Sequence, residues 1–140
     1  MKLEDLQVPF WFDDERAGAT QEQIEEFERE VQVNLPEEFR RALMLRDGGT
    51  STYSSFQRDE LFVPIPSFFS VDILRRSEKH RSLYGVPNGV IMIAGGAHEW
   101  LGLDYRQGPN PQIVFQESED APIEFVAESF EALLEGLTED

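Results

Sequence analysis

The chain of 140 residues is long enough to bury a real core, and 40% of it is hydrophobic, with eleven Phe, which is too apolar for a disordered chain of this charge. A formal net charge of −16 repels nucleic acid and anionic lipid, and the absence of cysteine excludes disulfides, thiolate nucleophiles and Cys-ligated zinc. No apolar run approaches the roughly eighteen residues of a membrane-spanning helix, and Met1 to Leu6 carries early acids with no apolar signal-peptide core, so a cytoplasmic location is expected.

Residues 1–18 read as an irregular arm whose cluster Val8-Pro9-Phe10-Trp11-Phe12, closed by Asp13-Asp14-Glu15, packs back on the core. A first helix starts after Thr20, where Thr20 and Gln23 have the spacing of a capping box and Ile24, Phe27 and Val31 recur at helical period. Leu35-Pro36-Glu37-Glu38 opens a second helix, with Pro near its first position and acids suited to the dipole. Phe39, Ala42, Leu43 and Leu45 form its buried stripe, and Asp47-Gly48-Gly49 ends it.

Thr50 to Glu60 is polar and hydroxyl-rich and reads as a loop. Leu61 to Pro66 is apolar and β-rich, but its two prolines confine it to an edge or a short strand. Phe68 to Leu83 is compatible with a helix, with Ile73 and Leu74 inward and Arg75, Arg76, Lys79 and Arg81 outward. After the turn Tyr84 to Gly89 the period changes. Val90 to Ala94 reads as a central strand covered on both faces, Trp100 to Tyr105 as the next strand and Gln112 to Gln116 as a third. Connections this short call for hairpins and an antiparallel sheet. Glu117 to Pro122 is an acidic loop, Ile123 to Val126 pairs briefly, and Ala127 to Leu137 forms a closing helix with Phe130, Leu133, Leu134 and Leu137 inward. The expected fold is therefore α+β: an N-terminal helical pair, an antiparallel meander sheet and a C-terminal helix packed on it. Residues 1–140 read as a single domain with its core over about 19–137.

The charge is unevenly spread. Residues 117–140 hold nine acids and no Lys or Arg, and residues 1–31 hold ten acids against Lys2, Arg16 and Arg29. From Arg40 to Arg81 the balance reverses, with eight basic residues against five acids. Acidic ends attract basic partners, although acidity also serves plain solubility.

Catalytic signatures are weak. His98 and Glu99 beside Asp104 would lie near one sheet edge, but metal sites need three or four convergent ligands with local spacing, so they read as solvent-facing polar residues. Gly95-Gly96 lacks the Lys-Ser/Thr of a phosphate loop, and Ser51 to Ser55 lacks a paired base. No catalytic, cofactor-binding or metal-ligating residue is assigned, and the chain reads as non-enzymatic. Asp104-Tyr105-Arg106 falls at a strand end and admits two readings. Either Asp104 caps the turn while Arg106 pairs with an acid such as Glu117, or Tyr105 and Arg106 are contact anchors for a partner. The basic residues of 71–83 lack the interleaved aromatics of a nucleic-acid surface, so direct nucleic-acid binding is not expected.

Ile24 to Glu30, then Leu35-Pro36-Glu37-Glu38-Phe39-Arg40, then Arg46-Asp47-Gly48-Gly49 resemble the opening of the SUKH superfamily, of the Smi/Knr cell-wall assembly regulator type. Gly95-Gly96 leading to Leu103-Asp104-Tyr105-Arg106, a Pro-containing turn and Ile113-Val114 resemble its second block. Ala127-Glu128-Ser129-Phe130-Glu131-Ala132-Leu133-Leu134 resembles its closing helix. Two departures stand out: His98-Glu99-Trp100, where small polar residues are usual, and the aromatic arm at 8–12. The resemblance implies a mixed α+β fold with no established catalytic residues. Bacterial members resemble immunity proteins that neutralise toxins, often nucleases, while fungal relatives regulate cell-wall synthesis through protein contacts. The leading expectation is thus an immunity protein docking on a basic toxin domain, and the alternative is an intracellular regulatory or scaffold protein. Candidate partner contacts are Glu99, Trp100, Asp104, Tyr105, Arg106, Glu117, Glu119 and Asp120, with Trp100 and Tyr105 as apolar anchors.

Overall fold

The computed structural model of the protein describes residues 1–13 and 16–139. Asp14 and Glu15, which close the aromatic arm, and Asp140, the last of the C-terminal acids, lie outside the described residues.

Helix α1 (Gln21–Val31) starts with the expected capping box: Thr20 accepts the Gln23 backbone N–H at 3.1 Å, and the Gln23 side chain accepts the Thr20 N–H at 2.9 Å. Its end is set by Gln32, in the left-handed region at φ 61°. Helix α2 (Glu37–Leu45) follows Pro36 and buries Phe39, Ala42 and Leu43. Leu45, expected inward, is 62% exposed, because the stripe ends with Leu43 and the last turn faces solvent. Gly48 and Gly49 do not cap the helix directly. At φ 85° and 136° they turn the chain so that Gly49 pairs with Phe68 through both backbone bonds.

The expected helix over 68–83 is shorter and broken. Phe68 is extended, Ser70 accepts the Ile73 N–H as N-cap, α3 runs Val71–Lys79, and a 3₁₀ turn follows at Arg81–Tyr84. Asp47 also accepts the Val71 N–H at 2.9 Å, which ties the α2 exit to the α3 entry. Leu74 is fully buried, but Ile73 is 40% exposed, since the buried stripe of this helix is set by Val71 and Leu74 and Ile73 lies on its flank. Arg75 does not reach solvent freely. It pairs with Glu26 at 2.9 Å and Glu30 at 2.8 Å, bolting α3 to α1.

Two antiparallel sheets carry the strands. The first has the order β3 (Val90–Gly95), β4 (Trp100–Asp104), β5 (Gln112–Gln116), β6 (Glu124–Ala127), the meander expected from the short connections. Strand β3 lies at the edge of this ladder and not at its centre. It reads as central because segment 67–69 covers the edge: Phe69 donates to Ile93 O at 2.9 Å and Gly95 to Ser67 O at 3.0 Å. The second sheet has the order β2 (Leu61–Pro64), β1 (Ser55–Arg58), β7 (Leu137–Thr138). Here the proline-bearing strand takes the expected edge, whereas the hydroxyl-rich segment expected as a loop contains the central strand. The closing helix α4 (Phe130–Glu135) is shorter than expected, because Ala127 still pairs with Ile113 in the first sheet and Leu137 already pairs with Phe56 in the second.

The arm packs as expected through Phe10 and Trp11 but not Phe12, which is exposed. Phe10 lies 4.9 Å from Trp11 and 5.3 Å from Phe68, ring centre to ring centre, and the Trp11 indole donates to Ala42 O at 2.8 Å. The main core gathers these rings with Phe27, Phe39, Phe56 and Phe130 between the helices and one face of the first sheet.

Candidate partner-binding face

The two faces of the first sheet differ. Alternation along β4 sends Leu101 and Leu103 into the main core with Ile91, Ile93, Ile113 and Phe115. Trp100 belongs instead to a second apolar cluster with Val90, Met92 and Val114. It needs room there, and Gly102 supplies it: a Cβ on Gly102 would sit 2.8 Å from the Trp100 ring and 3.0 Å from Val90 Cγ1. Trp100 is therefore no projecting anchor, being only 3% exposed. Its indole donates to Gln116 Oε1 at 2.9 Å, Gln116 Nε2 donates to Ala121 O at 2.9 Å, and Ala121 N–H donates to Ser118 O at 3.1 Å. Through this relay the buried ring holds the acidic loop 117–122 against the sheet.

At the opposite end of β4, Asp104 is buried and does cap the turn, accepting the Arg106 backbone N–H at 2.9 Å. The Arg106 guanidinium grips the same carboxylate with two bonds of 2.9 Å, which holds the Asp104 carboxyl below its ordinary range despite the opposing cost of burial. Arg106 does not pair with Glu117. The register aligns Asp104 with Gln112 and Trp100 with Gln116, so the two residues lie beyond opposite ends of the strands, and those ends are four strand residues or about 13 Å apart. Tyr105 is half-buried beneath this turn, donating to Asn34 O at 2.6 Å, and burial together with the nearby Glu28 charge pushes its phenol up. The structure thus divides the eight candidate residues. Glu99, Trp100, Glu117, Glu119 and Asp120 gather at one sheet end, and Asp104, Tyr105 and Arg106 form a fold-stabilising turn at the other.

The same register separates Glu99 from Asp104, so the His98, Glu99 and Asp104 trio does not converge. Among the described residues no three His, Asp or Glu side chains are grouped to hold a metal ion.

Ion pairing explains what the charge asymmetry leaves over. Arg41 pairs with Glu38 at 2.8 Å and Glu4 at 2.7 Å, Arg40 with Glu28 at 3.7 Å, Arg46 with Asp13, and Arg75 with Glu26 and Glu30. Arg81, expected outward, turns in to Glu78 at 2.9 Å and to the carbonyl of Val90 at 2.6 Å. Five of the eight basic residues of this centre are therefore engaged by acids, while Arg76 and Lys79 stay exposed on α3. Glu117, Glu119, Asp120 and Glu124 are exposed and form no ion pair among the described residues. Beside them the Glu99 carboxylate folds over Gly96, where a Cβ would lie within 1.8 Å of Oε1. The result is a sheet end with a concentrated negative field and little internal neutralisation.

One feature of this end escapes the sequence. A cavity of about 200 Å³ opens between α3 and the β3–β4 turn, floored by Met92 and Trp100 and walled by Phe69, Ile73 and Tyr84. Helical period pointed Ile73 inward with Leu74, and only the break after Lys79 brings Tyr84 to the opposite wall.

No helix among the described residues is long and apolar enough to cross a membrane. In sequence, the model of the SMI1/KNR4 family (SUKH-1) matches residues 18–136, which takes in every element from α1 to α4. No curated protein matches the chain.

Proposed function

The chain belongs to the SMI1/KNR4 family (SUKH-1), and from that premise we propose that it is a non-enzymatic, intracellular protein-binding module that neutralises a basic toxin domain, most fittingly a nuclease. The observation that carries this reading is the set of exposed carboxylates at one end of the first sheet, Glu117, Glu119, Asp120 and Glu124, which form no ion pair among the described residues, with Glu99 beside them. A nuclease grips phosphate with Lys and Arg, so a rigidly held row of carboxylates competes for the same ground and is steered to it at long range. The relay from Trp100 through Gln116 supports the reading further, because it fixes the loop in place before any partner arrives.

The test is protection in cells. A toxin-like nuclease domain sought in the reading frames next to this gene is expressed with the wild-type chain or with a variant carrying Glu117→Lys, Glu119→Lys and Asp120→Lys. The wild type is expected to restore growth and the variant to fail while remaining folded. Equal protection by both, or the lack of any neighbouring toxin-like frame, overturns the reading.

A further inference from the structure

We propose that the cavity between α3 and the β3–β4 turn is the anchor pocket of this binding face, taking one aromatic or long aliphatic side chain from a basic segment of the partner. This rests on the protein-binding reading above and adds to it the place and the chemistry of the contact.

The pocket is built, not incidental. Its floor is Trp100, fixed by the bond to Gln116 and by the space over Gly102, so it does not collapse when empty. Its walls expose apolar surface on both sides, with Ile73 40% and Tyr84 49% exposed, and neighbouring Leu83 is more exposed still. A chain of charge −16 has ample polar residues for its surface, so exposed large hydrophobic side chains around one opening mark a contact site. A volume of about 200 Å³ suits one large side chain and is too small for a drug-sized ligand.

Charge selects the occupant. Glu99 lines the pocket rim, and the relay through Gln116 sets the 117–122 loop beside its floor. An apolar side chain entering here brings the residue on its β3–β4 side against Glu99 and the acids of the 117–122 loop, so that flank is Lys or Arg, while the α3 side presents exposed Arg76. Anionic lipid is repelled, and a second copy of this chain would set its own −16 against the same acids. A desolvated apolar anchor ringed by charge pairs is the usual anatomy of a binding hot spot.

The experiment titrates the nitrogen-15-labelled chain with two peptides, one with a central Trp between Lys and Arg residues and one with Ser in its place. The Trp peptide is expected to shift the amides of Ile73, Ser77, Tyr84, Gly96 and His98 saturably, and the Ser peptide to bind at least tenfold more weakly. Tyr84→Ala, which removes an exposed wall, and Ser77→Trp, which fills the pocket, are each expected to weaken the Trp peptide at least tenfold. Should Ser77→Trp fail to fold, Tyr84→Ala carries the test alone. Equal binding of both peptides, with shifts confined to residues 117–124, overturns the pocket and leaves the acidic-face reading standing. Absence of saturable binding also overturns it, as does concentration-dependent self-association that shifts the pocket amides without peptide. Loss of cellular protection by the Lys triple variant is a separate readout, so failure of the pocket and failure of the toxin-neutralising reading are told apart.

Discussion

The Trp100 indole donates to Gln116 Oε1 at 2.9 Å, and Gln116 in turn donates to Ala121 O, so a buried aromatic ring sets the position of an exposed acidic loop. Trp100→Phe keeps most of the apolar surface but leaves a buried amide oxygen without its donor. An unsatisfied buried group of this kind costs about 1–3 kcal/mol. We expect a lower urea midpoint by that amount and faster hydrogen exchange at Ala121, whose N–H closes the loop onto Ser118. An unchanged midpoint with unchanged exchange would show that the relay holds nothing in place.

Asp104 and Arg106 give the fold a defined acid sensitivity. Arg106 holds the Asp104 carboxyl below its ordinary range in the folded state, so the ion pair stabilises the protein above the unfolded carboxylate value of about 3.9. That stability is lost as pH falls through the lower folded value. Asp104→Asn is expected to be less stable than wild type at neutral pH, with the gap closing below about pH 4 as the wild-type carboxylate protonates. Melting temperatures of both proteins from pH 7 to pH 2.5 check this. A gap that widens in acid would contradict the assignment.

What the sequence disclosed and what it hid follow from the reach of each interaction. The capping box of Thr20 and Gln23 and the Leu35-Pro36 helix entry are settled within a few residues, and both form as expected. Strand β1 is hidden because Ser55-Phe56-Gln57-Arg58 carries a single apolar residue and so no alternation; its hairpin partner β2 follows at once, but β7, which makes β1 the central strand, lies about eighty residues away. Trp100 was misplaced for a related reason. Both sheet faces are covered, so alternation along β4 could not say which face met solvent. The acidic cluster itself was legible, since Glu117, Glu119 and Asp120 are near neighbours in the chain. The pairing of the basic centre's arginines was not, because Arg41 finds Glu4 and Arg75 finds Glu26 only after α1, α2 and α3 have docked.

Gly18 lies directly against the last turn of α2. A Cβ there would lie 1.7 Å from the Met44 carbonyl oxygen, which is backbone and cannot swing away. Ala19 donates to Leu43 O at 2.8 Å and Asp47 to Ala17 O at 3.1 Å, so the strap is held on both sides and cannot simply lift. Gly18→Ala is expected to cost about 1–3 kcal/mol or more through forced backbone displacement. Chemical denaturation measures it, and a neutral result would mean that the strap is free to move off the helix.

Charge reversal at the acidic sheet end separates recognition from stability. Glu117, Glu119 and Asp120 are exposed and form no ion pair among the described residues, so replacing all three with Lys breaks no folded-state contact. Surface changes of this type usually stay within about 0.5 kcal/mol each, and here they also relieve self-repulsion in a chain of charge −16. The melting temperature is therefore expected to hold or rise. Association with a basic partner domain is expected to slow by about tenfold or more at low ionic strength, because steering depends on this field. The difference should shrink as salt is raised toward 1 M, where the screening length falls to about 3 Å. Stopped-flow association rates over a salt series measure both features. The control replaces Glu128, Glu135 and Glu139, all exposed, with Lys together, which makes the same change of charge outside this sheet end and should slow association far less. Equal slowing by the control would mean that total charge, and not this face, draws the partner in.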